Sequence, residues 1–389
     1  MNGEAVLDLI YFDAGSGHRT AAEALRDVIA QERRPWTVRL VNLQEVLDSI
    51  DVFARITGMR LQDIYNLLLR RGWTLGSPYM LRALQAVVRA YHAPAVRLLR
   101  EFWRRREPAP DAVVSLIPNF NRALKESLGA VPFVTILTDL ADCPPHFWIE
   151  RQEQYLVCGS PRACEQARAM GHPPGRIFPV SGMLVRPEFY AAGGADRGAE
   201  RARLGLDPFT TTALVLFGGC GSRDIEEIAE RLEEVTVPLQ LVLLCGQDAR
   251  LAARLAGRAS RLRRHVAGFT RDVPRYMRAA DFVIGKPGPG LISEALVMGL
   301  PLIVERNART LPQERYNADW IAANGLGLVL RRLRDVADAV AELTAADHLA
   351  RFRARAAQHR PRAIAEVPDV LATILARSCA RPAACEGAL

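Results

Sequence analysis

The chain has 389 residues, 49% of them hydrophobic and 24% charged, and its formal net charge is +8. This length exceeds what one ordinary core fills and predicts two domains, and the composition is that of a soluble globular protein. No apolar run of about 18 residues is present, which argues against a membrane-spanning helix.

The N-terminus and the cysteines bear on the cellular location. No basic residue precedes the apolar run in MNGEAVLDLIYFDAG, so this stretch predicts a buried first strand and not a signal peptide. The seven cysteines are an odd number without a CxxC pair, which argues against a disulfide framework or a zinc site. We therefore expect a protein of the reducing cytoplasm.

Short β-branched runs alternate with helical patterns along the chain, which is typical of parallel α/β domains. Their near-continuous apolar character fits strands that are buried on both faces. Strands are predicted at 6–13, 37–43, 111–117, 132–140, 154–160, 176–182, 212–219, 239–246, 264–269, 281–287, 301–306 and 327–330. A small, polar stretch predicts a linker near 188–198, and a helical stretch begins at about Leu333.

The positive charge is concentrated in residues 52–106. This segment carries eleven arginines against Asp63 and Glu101, a local charge of +9. Its pattern predicts two or three amphipathic helices inserted in the first domain.

Four turns follow predicted strands, where ligands of open parallel sheets bind. The first is FDAGSGHRTAAEAL, residues 12–25, in which Gly15 and Gly17 allow a tight turn and His18 begins a helix. The Walker A and GxGxxG patterns are both absent. A neutral imidazole at this place can accept a proton from a hydroxyl group. The alternative is that His18 only caps the helix.

The second turn is LFGGCGSRDIEEI, residues 216–228. Gly218, Gly219 and Gly221 expose backbone amides and Ser222 can cap the next helix, which predicts an anion site. The alternative is an ordinary tight turn between a strand and a helix.

The third turn is GKPGPGLISEALVMGLPLIV, residues 285–304. Gly288 and Gly290 allow close approach of a diphosphate to the first helical turn, and Glu294 can accept both hydroxyls of a ribose. The fourth turn, RTLPQERYNADWI, presents Gln313 and Glu314 as readers of sugar hydroxyls. The alternatives are a solvated glutamate and a capping pair.

Together these motifs resemble glycosyltransferase family 28. The second half does so through HVAGFTRDVPRYMRAADFVIGKPGPGLISEALVMGLPLIV and PQERYN, which are similar to the family's nucleotide-sugar domain. The first half resembles the branch of the monogalactosyldiacylglycerol synthases and processive diacylglycerol glycosyltransferases through GSGHRTAAEAL, DAVVSLIPNF, PFVTILTDLADCPPHFW and VSGMLVRPEF. The resemblance covers nearly the whole chain.

This resemblance implies the GT-B fold, in which two Rossmann-like parallel-sheet domains face each other across a cleft and the C-terminal helix returns to the first domain. The implied division is an acceptor and membrane-facing domain at 1–190, a UDP-sugar-binding domain at 199–360, and a C-terminal helix and tail at 361–389. The implied reaction is the inverting transfer of a hexose from UDP-galactose or UDP-glucose to diacylglycerol or a related lipid.

The resemblance also implies the site residues. On the acceptor side, His18 is the catalytic base, and Gly15 and Gly17 form the acceptor loop, although Ser16 interrupts the family's consecutive glycines. By their position, Asp139 and Asp142 are candidates to orient His18 or the acceptor hydroxyl, and the alternative is that they are structural caps. The donor-binding residues are Gly218, Gly219 and Ser222 at the phosphates, Gly268 and Phe269 at the uracil, Gly288 and Gly290 at the diphosphate, Glu294 at the ribose, and Gln313 and Glu314 at the sugar.

We expect neither a metal nor another cofactor, since the chain contains no DxD sequence and helix dipoles can hold the leaving diphosphate. Lys286 or Arg223 is a further candidate to assist. The basic segment predicts contact with an anionic membrane surface through Arg70, Arg71, Trp73 and Trp103, and the alternative is that its arginines lie on solvated helix faces. Nucleic acid is not expected as a partner, since no recognition motif accompanies the charge.

Three other functions stay open. Two are enzymes that share the fold, a UDP-N-acetylglucosamine-using transferase and a UDP-N-acetylglucosamine 2-epimerase. The third is a non-catalytic sensor of UDP-sugars on the membrane.

Overall fold

The computed structural model describes residues 4–13, 17–48, 77–191, 196–219 and 221–379. These residues divide into two compact units. Unit 1 comprises the described residues up to Asp48, Tyr79–Leu184 and those from Arg362 onward, and unit 2 consists chiefly of Val185–Pro361.

Unit 1 is built on a six-stranded parallel sheet with the strand order β2-β1-β3-β4-β5-β6. Its strands are β1 (Ala5–Tyr11), β2 (Trp36–Asn42), β3 (Ala112–Ser115), β4 (Phe133–Ile136), β5 (Tyr155–Cys158) and β6 (Ile177–Pro179). Its first helices are α1 (Gly17–Gln31), α2 (Leu43–Leu47), α3 (Ser77–Ala90), α4 (His92–Arg104), α5 (Asn121–Leu128) and α6 (Pro161–Ala169).

Unit 2 has a second six-stranded parallel sheet with the order β12-β11-β10-β7-β8-β9. Its strands are β7 (Thr212–Leu216), β8 (Gln240–Leu244), β9 (Arg264–Ala267), β10 (Phe282–Gly285), β11 (Leu302–Glu305) and β12 (Gly327–Leu330). Its helices are α7 (Pro187–Ala191), α8 (Arg197–Arg203), α9 (Asp224–Leu232), α10 (Ala249–Gly257), α11 (Val273–Ala279), α12 (Pro289–Val297), α13 (Pro312–Ala323), α14 (Val336–Thr344) and α15 (His348–Gln358).

The last described helix, α16 (Ala363–Cys379), belongs to unit 1. Its buried side chains Val367, Leu371 and Ile374 share a core cluster with Leu25 and Ile29 of α1. Each such side chain contributes about 1.5–3 kcal/mol on burial. The predicted return of the C-terminal helix to the first domain is therefore confirmed.

The predicted fold class is confirmed, and all twelve predicted strands are present. Ten of them are shorter than predicted, whereas β2 keeps its predicted length one residue upstream and β12 has its predicted bounds. The strands are shorter because several predicted runs continue into the turns, as 132–140 does beyond Ile136. The described part of the basic segment is helical, as predicted. The chain passes from unit 1 to unit 2 after Leu184, upstream of the linker that we predicted near 188–198, and Phe189 is buried in the core of unit 2 beside Val185.

Strand order determines which turns are neighbours. In the first sheet the chain leaves β1 toward β2 on one side and continues from β3 toward β6 on the other, so the strand order reverses between β1 and β3. In the second sheet it reverses in the same way between β7 and β10. Ligands of open α/β sheets bind at such points of reversal. In unit 1 this places the turns after β1, β3 and β4 side by side. In unit 2 it places the turns after β11, β10, β7, β8 and β9 in that spatial order.

Candidate active site

His18 lies in the first turn of α1, just after β1. Its Nδ1 is 3.2 Å from Oγ1 of Thr138, which follows β4, and its ring centroid is 5.9 Å from that of Trp148. Burial lowers the pKa of His18 to about 4, although a hydrogen bond to the Leu116 backbone acts in the opposite direction. The imidazole is therefore neutral at neutral pH, the form in which it can accept a proton.

Two carboxylates shape the loop that carries Trp148. Asp139 accepts a 2.8 Å hydrogen bond from the Trp148 indole N–H. Asp142 accepts backbone hydrogen bonds from four consecutive residues, His146, Phe147, Trp148 and Ile149. Burial raises the pKa of Asp142, and the bonds from these amides oppose that shift. Asp142 is thus a structural cap, and the described bond of Asp139 connects it to His18 through Trp148.

The predicted acceptor loop is only partly described. Gly17 begins α1 and is exposed, and a Cβ atom placed on it would have no neighbour within 4 Å. Gly15 and Ser16 lie outside the described residues.

The turn after β7 is a glycine loop that packs closely against its neighbours. Gly218 and Gly221 have φ angles of +79° and +77°, which favour glycine. A Cβ atom on Gly221 would collide with the Cys245 carbonyl after β8. Ser222 Oγ accepts a hydrogen bond from the backbone N–H of Asp224, the first residue of α9, but the N-cap of this helix is Arg223 and not Ser222.

Phe269 connects this loop with the end of β9. Its ring lies 3.7 Å from a Cβ position on Gly219, and its residue is 57% exposed. Gly268, the residue before it, lies near the carbonyl of Gly246. An aromatic face is therefore available beside the glycine loop, where a planar base can stack.

The turn after β10 approaches the same glycine loop. Gly288 is the N-cap of α12, with Pro289 and Gly290 in the first turn, so the first amides of that helix are not capped by a side chain. The Lys286 side chain reaches from Gly218 to Gly288 and its Nζ is 3.0 Å from Glu314 Oε1. A helix N-terminus, a glycine loop and one ammonium group together favour an anion.

Glu294, one turn into α12, has an unusual carboxyl group. Burial raises its pKa to about 7, and the charge of Arg186 acts in the opposite direction. A carboxyl group that titrates near neutrality is characteristic of functional sites.

Helix α13 presents two buried acceptors that lack a partner in the part of the chain that the structure describes. Gln313 Oε1 and Asn317 Oδ1 form no hydrogen bond within the described residues, while Asn317 Nδ2 donates to the Pro287 carbonyl at 2.9 Å. Orphaned buried acceptors are rare and suit hydroxyl groups of a ligand. The sequence interpretation missed Asn317, although its spacing of four from Gln313 places both on one helix face.

Part of the basic segment forms an exposed surface on α3. Tyr79 and Val87 on α3, and Tyr91 just after its last residue, are large apolar residues that are exposed, and Arg82 and Arg89 are exposed on α3. Leu81 anchors the helix in a cluster that includes Trp148, the neighbour of His18. We call Tyr79, Arg82, Val87, Arg89 and Tyr91 the α3 surface.

Other predicted membrane residues differ from this surface. The Trp103 indole donates to Ser127 Oγ at 3.0 Å and packs in the core beside Phe102, so it is held against α5. Arg106 forms an ion pair with buried Asp8. Arg70, Arg71 and Trp73 lie outside the described residues.

Within the described ranges, no helix has both the length and the apolarity needed to cross a membrane. The same ranges contain no group of three or more metal-ligating side chains.

Solved structures with the same fold cover nearly the whole chain. The MurG protein of Acinetobacter baumannii aligns over 94% of this chain and 99% of its own, with a TM-score of 0.61 and 15% identity. A putative UDP-N-acetylglucosamine 2-epimerase of Listeria monocytogenes aligns over 96% and 97%, with a TM-score of 0.61 and 17% identity. These neighbours support the two-domain GT-B fold.

The sequence relatives identify the family, whereas the solved structures support only the fold. Residues 213–367 match the glycosyltransferase family 28 C-terminal domain. A probable monogalactosyldiacylglycerol synthase 2 of Oryza sativa is 30% identical over 86% of this chain and 72% of its own. The synthase of Spinacia oleracea is 27% identical over 86% and 65%.

These relatives are named as chloroplastic proteins, so the prediction of a peripheral protein on the cytoplasmic membrane face is wrong. An odd number of cysteines without a CxxC pair, on which that prediction was based, indicates reducing conditions, and these do not identify one compartment. On its family match and its relatives, the chain belongs to glycosyltransferase family 28, in the branch of the monogalactosyldiacylglycerol synthases.

Proposed function

We propose that this protein transfers a hexose from a UDP-sugar to diacylglycerol with inversion at the anomeric carbon. The observation that carries the proposal is the convergence of Gly218, Lys286, Gly288 and Glu314 beside two orphaned acceptors in unit 2. UDP-galactose is the preferred donor because the relatives are named for a galactolipid, and UDP-glucose is the second candidate.

In this reaction His18 removes the proton of the acceptor hydroxyl. The hydroxyl oxygen attacks the anomeric carbon, the bond from that carbon to the diphosphate breaks, and UDP leaves with the bonding electrons. The amides of the glycine loop and of the first turn of α12 stabilise the charge on the diphosphate, and Lys286 adds a positive charge. This arrangement needs no divalent cation.

The turns of unit 2 each bind a different part of the nucleotide sugar. Phe269 and Gly268 contact the uracil, Glu294 accepts the ribose hydroxyls, and Gln313 with Glu314 binds the hexose. Asn317 supports this arrangement because its amide holds the Pro287 carbonyl, in the loop that leads into α12.

The test is incubation of the protein with UDP-galactose, UDP-glucose or UDP-N-acetylglucosamine and a panel of lipids, followed by mass spectrometry. We expect diacylglycerol to gain one hexose, free UDP to appear only when the lipid is present, and a chelator to leave the rate unchanged. UDP release without lipid would favour epimerisation. Nucleotide binding without turnover on any lipid would favour a sensor.

Glu294 should make donor affinity depend on pH. The ionised carboxylate accepts hydrogen bonds from both ribose hydroxyls, and a pKa of about 7 means that this form is lost as the pH falls. We expect the Kd for UDP-galactose to rise about tenfold from pH 8 to pH 6, measured by calorimetry. Glu294→Gln should bind weakly at both pH values. A wild-type Kd that is constant over this range would contradict the assignment.

We also place the α3 surface against the lipid bilayer that contains the acceptor. Exposed tyrosines and a valine beside two arginines suit the interface of an anionic membrane, and each basic residue adds on the order of 1 kcal/mol. Leu81 of α3 packs in the same core cluster as Trp148, whose ring lies beside that of His18, so the helix that carries this surface packs near the proposed base.

The double substitution Tyr79→Ser and Val87→Ser should weaken binding to vesicles that contain phosphatidylglycerol by at least about fivefold in a sedimentation assay, because apolar burial is lost. Phe209→Ser is the matched control, since Phe209 is 95% exposed in unit 2. An equal effect of the control and the double variant would exclude the α3 surface as the contact.

A further inference from the structure

The partners of His18 are unusual for a catalytic base. Its ring is hydrogen-bonded to the hydroxyl of Thr138 at Nδ1 and to the backbone of Leu116, and no charged residue within the described ranges shifts its pKa. A histidine base is commonly oriented by a carboxylate, which fixes the tautomer and stabilises the imidazolium ion. Here the nearby carboxylate, Asp139, accepts from the Trp148 indole at 2.8 Å.

Thr138 is placed on a rigid element. It directly follows Leu137, whose backbone N–H donates to the Val157 carbonyl of the neighbouring strand, and both Leu137 and Asp139 are buried. The fully buried Trp148 packs beside the imidazole. The hydroxyl therefore faces Nδ1 from a fixed position, and the indole limits rotation of the ring.

A neutral imidazole carries one proton, so its two nitrogens have opposite roles. If His18 is the base, the nitrogen that meets the acceptor must have a free lone pair. Nδ1 faces Thr138, which leaves Nε2 for the acceptor. The Leu116 backbone carbonyl can only accept a hydrogen bond, so it must then share the Nδ1 proton with Thr138. Nδ1 must then carry the ring proton and donate it to Thr138 Oγ1.

We propose that Thr138 is a positioning residue that holds His18 in the tautomer protonated on Nδ1, so that Nε2 is the basic nitrogen. This inference rests on the proposed function for the role of His18, while the tautomer itself is a property of the free protein. The hydroxyl oxygen of Thr138 accepts the hydrogen bond from Nδ1 that a carboxylate accepts in other histidine bases. It therefore orients the ring without adding a negative charge.

The first measurement is the tautomer of His18 in protein labelled with ¹⁵N-histidine, from long-range ¹H–¹⁵N correlation spectra at neutral pH. His18→Gln identifies the His18 signals among those of the seven histidines. We expect the wild type and Thr138→Ser to be protonated on Nδ1, and Thr138→Val to show a substantial Nε2-protonated fraction. Protonation of the wild-type ring on Nε2 would overturn the proposal.

The second measurement is turnover. Thr138→Val should lower kcat by about 10- to 100-fold with the KM for UDP-galactose unchanged within twofold, and Thr138→Ser should restore most of the rate. Thr135→Val is the control, since it removes a buried hydroxyl of β4 that bonds to Gln154. Equal rates of Thr138→Val and the wild type would also overturn the proposal.

The tautomer of His18 can be measured independently of its role as the base. If His18→Gln keeps full turnover while the wild-type ring is protonated on Nδ1, the role of Thr138 in fixing the ring stands and the assignment of His18 as the base fails.

Discussion

Substitution of His18 by glutamine is expected to lower kcat by about 10²- to 10⁴-fold, the usual contribution of a general base. Glutamine can still donate and accept hydrogen bonds, but it cannot hold the proton of the acceptor hydroxyl. The KM for the UDP-sugar should change little, because the proposed donor residues belong to unit 2 and His18 to unit 1. The measurement is the rate of glycolipid formation from UDP-galactose and diacylglycerol.

His92→Gln provides the matched control. His92 is also in unit 1, where it begins α4, and it has no proposed catalytic role. Its Nε2 lies 2.7 Å from Oε2 of Glu126 in α5. Its substitution should leave kcat within about twofold of the wild type. If His18→Gln behaves in the same way as His92→Gln, another group removes the proton and the proposed mechanism is wrong.

Substitution of Asp281 by alanine is expected to destabilise unit 2 by about 3–5 kcal/mol, the typical effect of removing one member of a buried ion pair. The carboxylate lies at the start of β10 and is 7% exposed. It contacts Arg197, Arg201 and Arg353, and it accepts the backbone N–H of Thr212 at 2.8 Å. Its loss leaves Arg201, which is 5% exposed, without its carboxylate partner.

Thermal unfolding followed by circular dichroism measures this effect, and a decrease of about 10 °C in Tm is expected for a unit of this size. Asp319→Ala is the control, because Asp319 pairs with Arg306 at 2.7 Å but is 54% exposed. An exposed pair contributes at most about 1 kcal/mol. Similar decreases for the two variants would show that the Asp281 cluster adds no special stability.

The strands and the four turns could be predicted because their signals are local. An apolar run of four to seven residues is sufficient for a buried strand, and glycines after such a run indicate a turn. The hydrogen bond of Ser222 to the first amide of α9 follows from spacing along the chain. The proximity of Gly288 to Glu314 follows from the rule that ligands bind at one edge of a parallel sheet.

The partners of His18 could not be predicted in the same way. Thr138 is 120 residues away, and the two meet only because β1, β3 and β4 are neighbours in the sheet. The same limit applies to Asp281, whose arginines come from two helices distant in sequence. Trp103 could not be placed from sequence either, since an aromatic residue within a basic helix can face the lipid or the core. The hydrogen bond from its indole to Ser127 of α5 shows that it faces the core.

The path of the chain also constrains how the protein can be divided. Unit 2 consists chiefly of one continuous stretch, Val185–Pro361. Unit 1 is assembled from separate stretches, and the last of them contains α16. A fragment that stops at Leu184 would expose the apolar side of α1 that Val367, Leu371 and Ile374 cover. Deleting the carboxyl-terminal helix is therefore equivalent to a large core mutation in unit 1, although the deleted residues follow unit 2 in the gene.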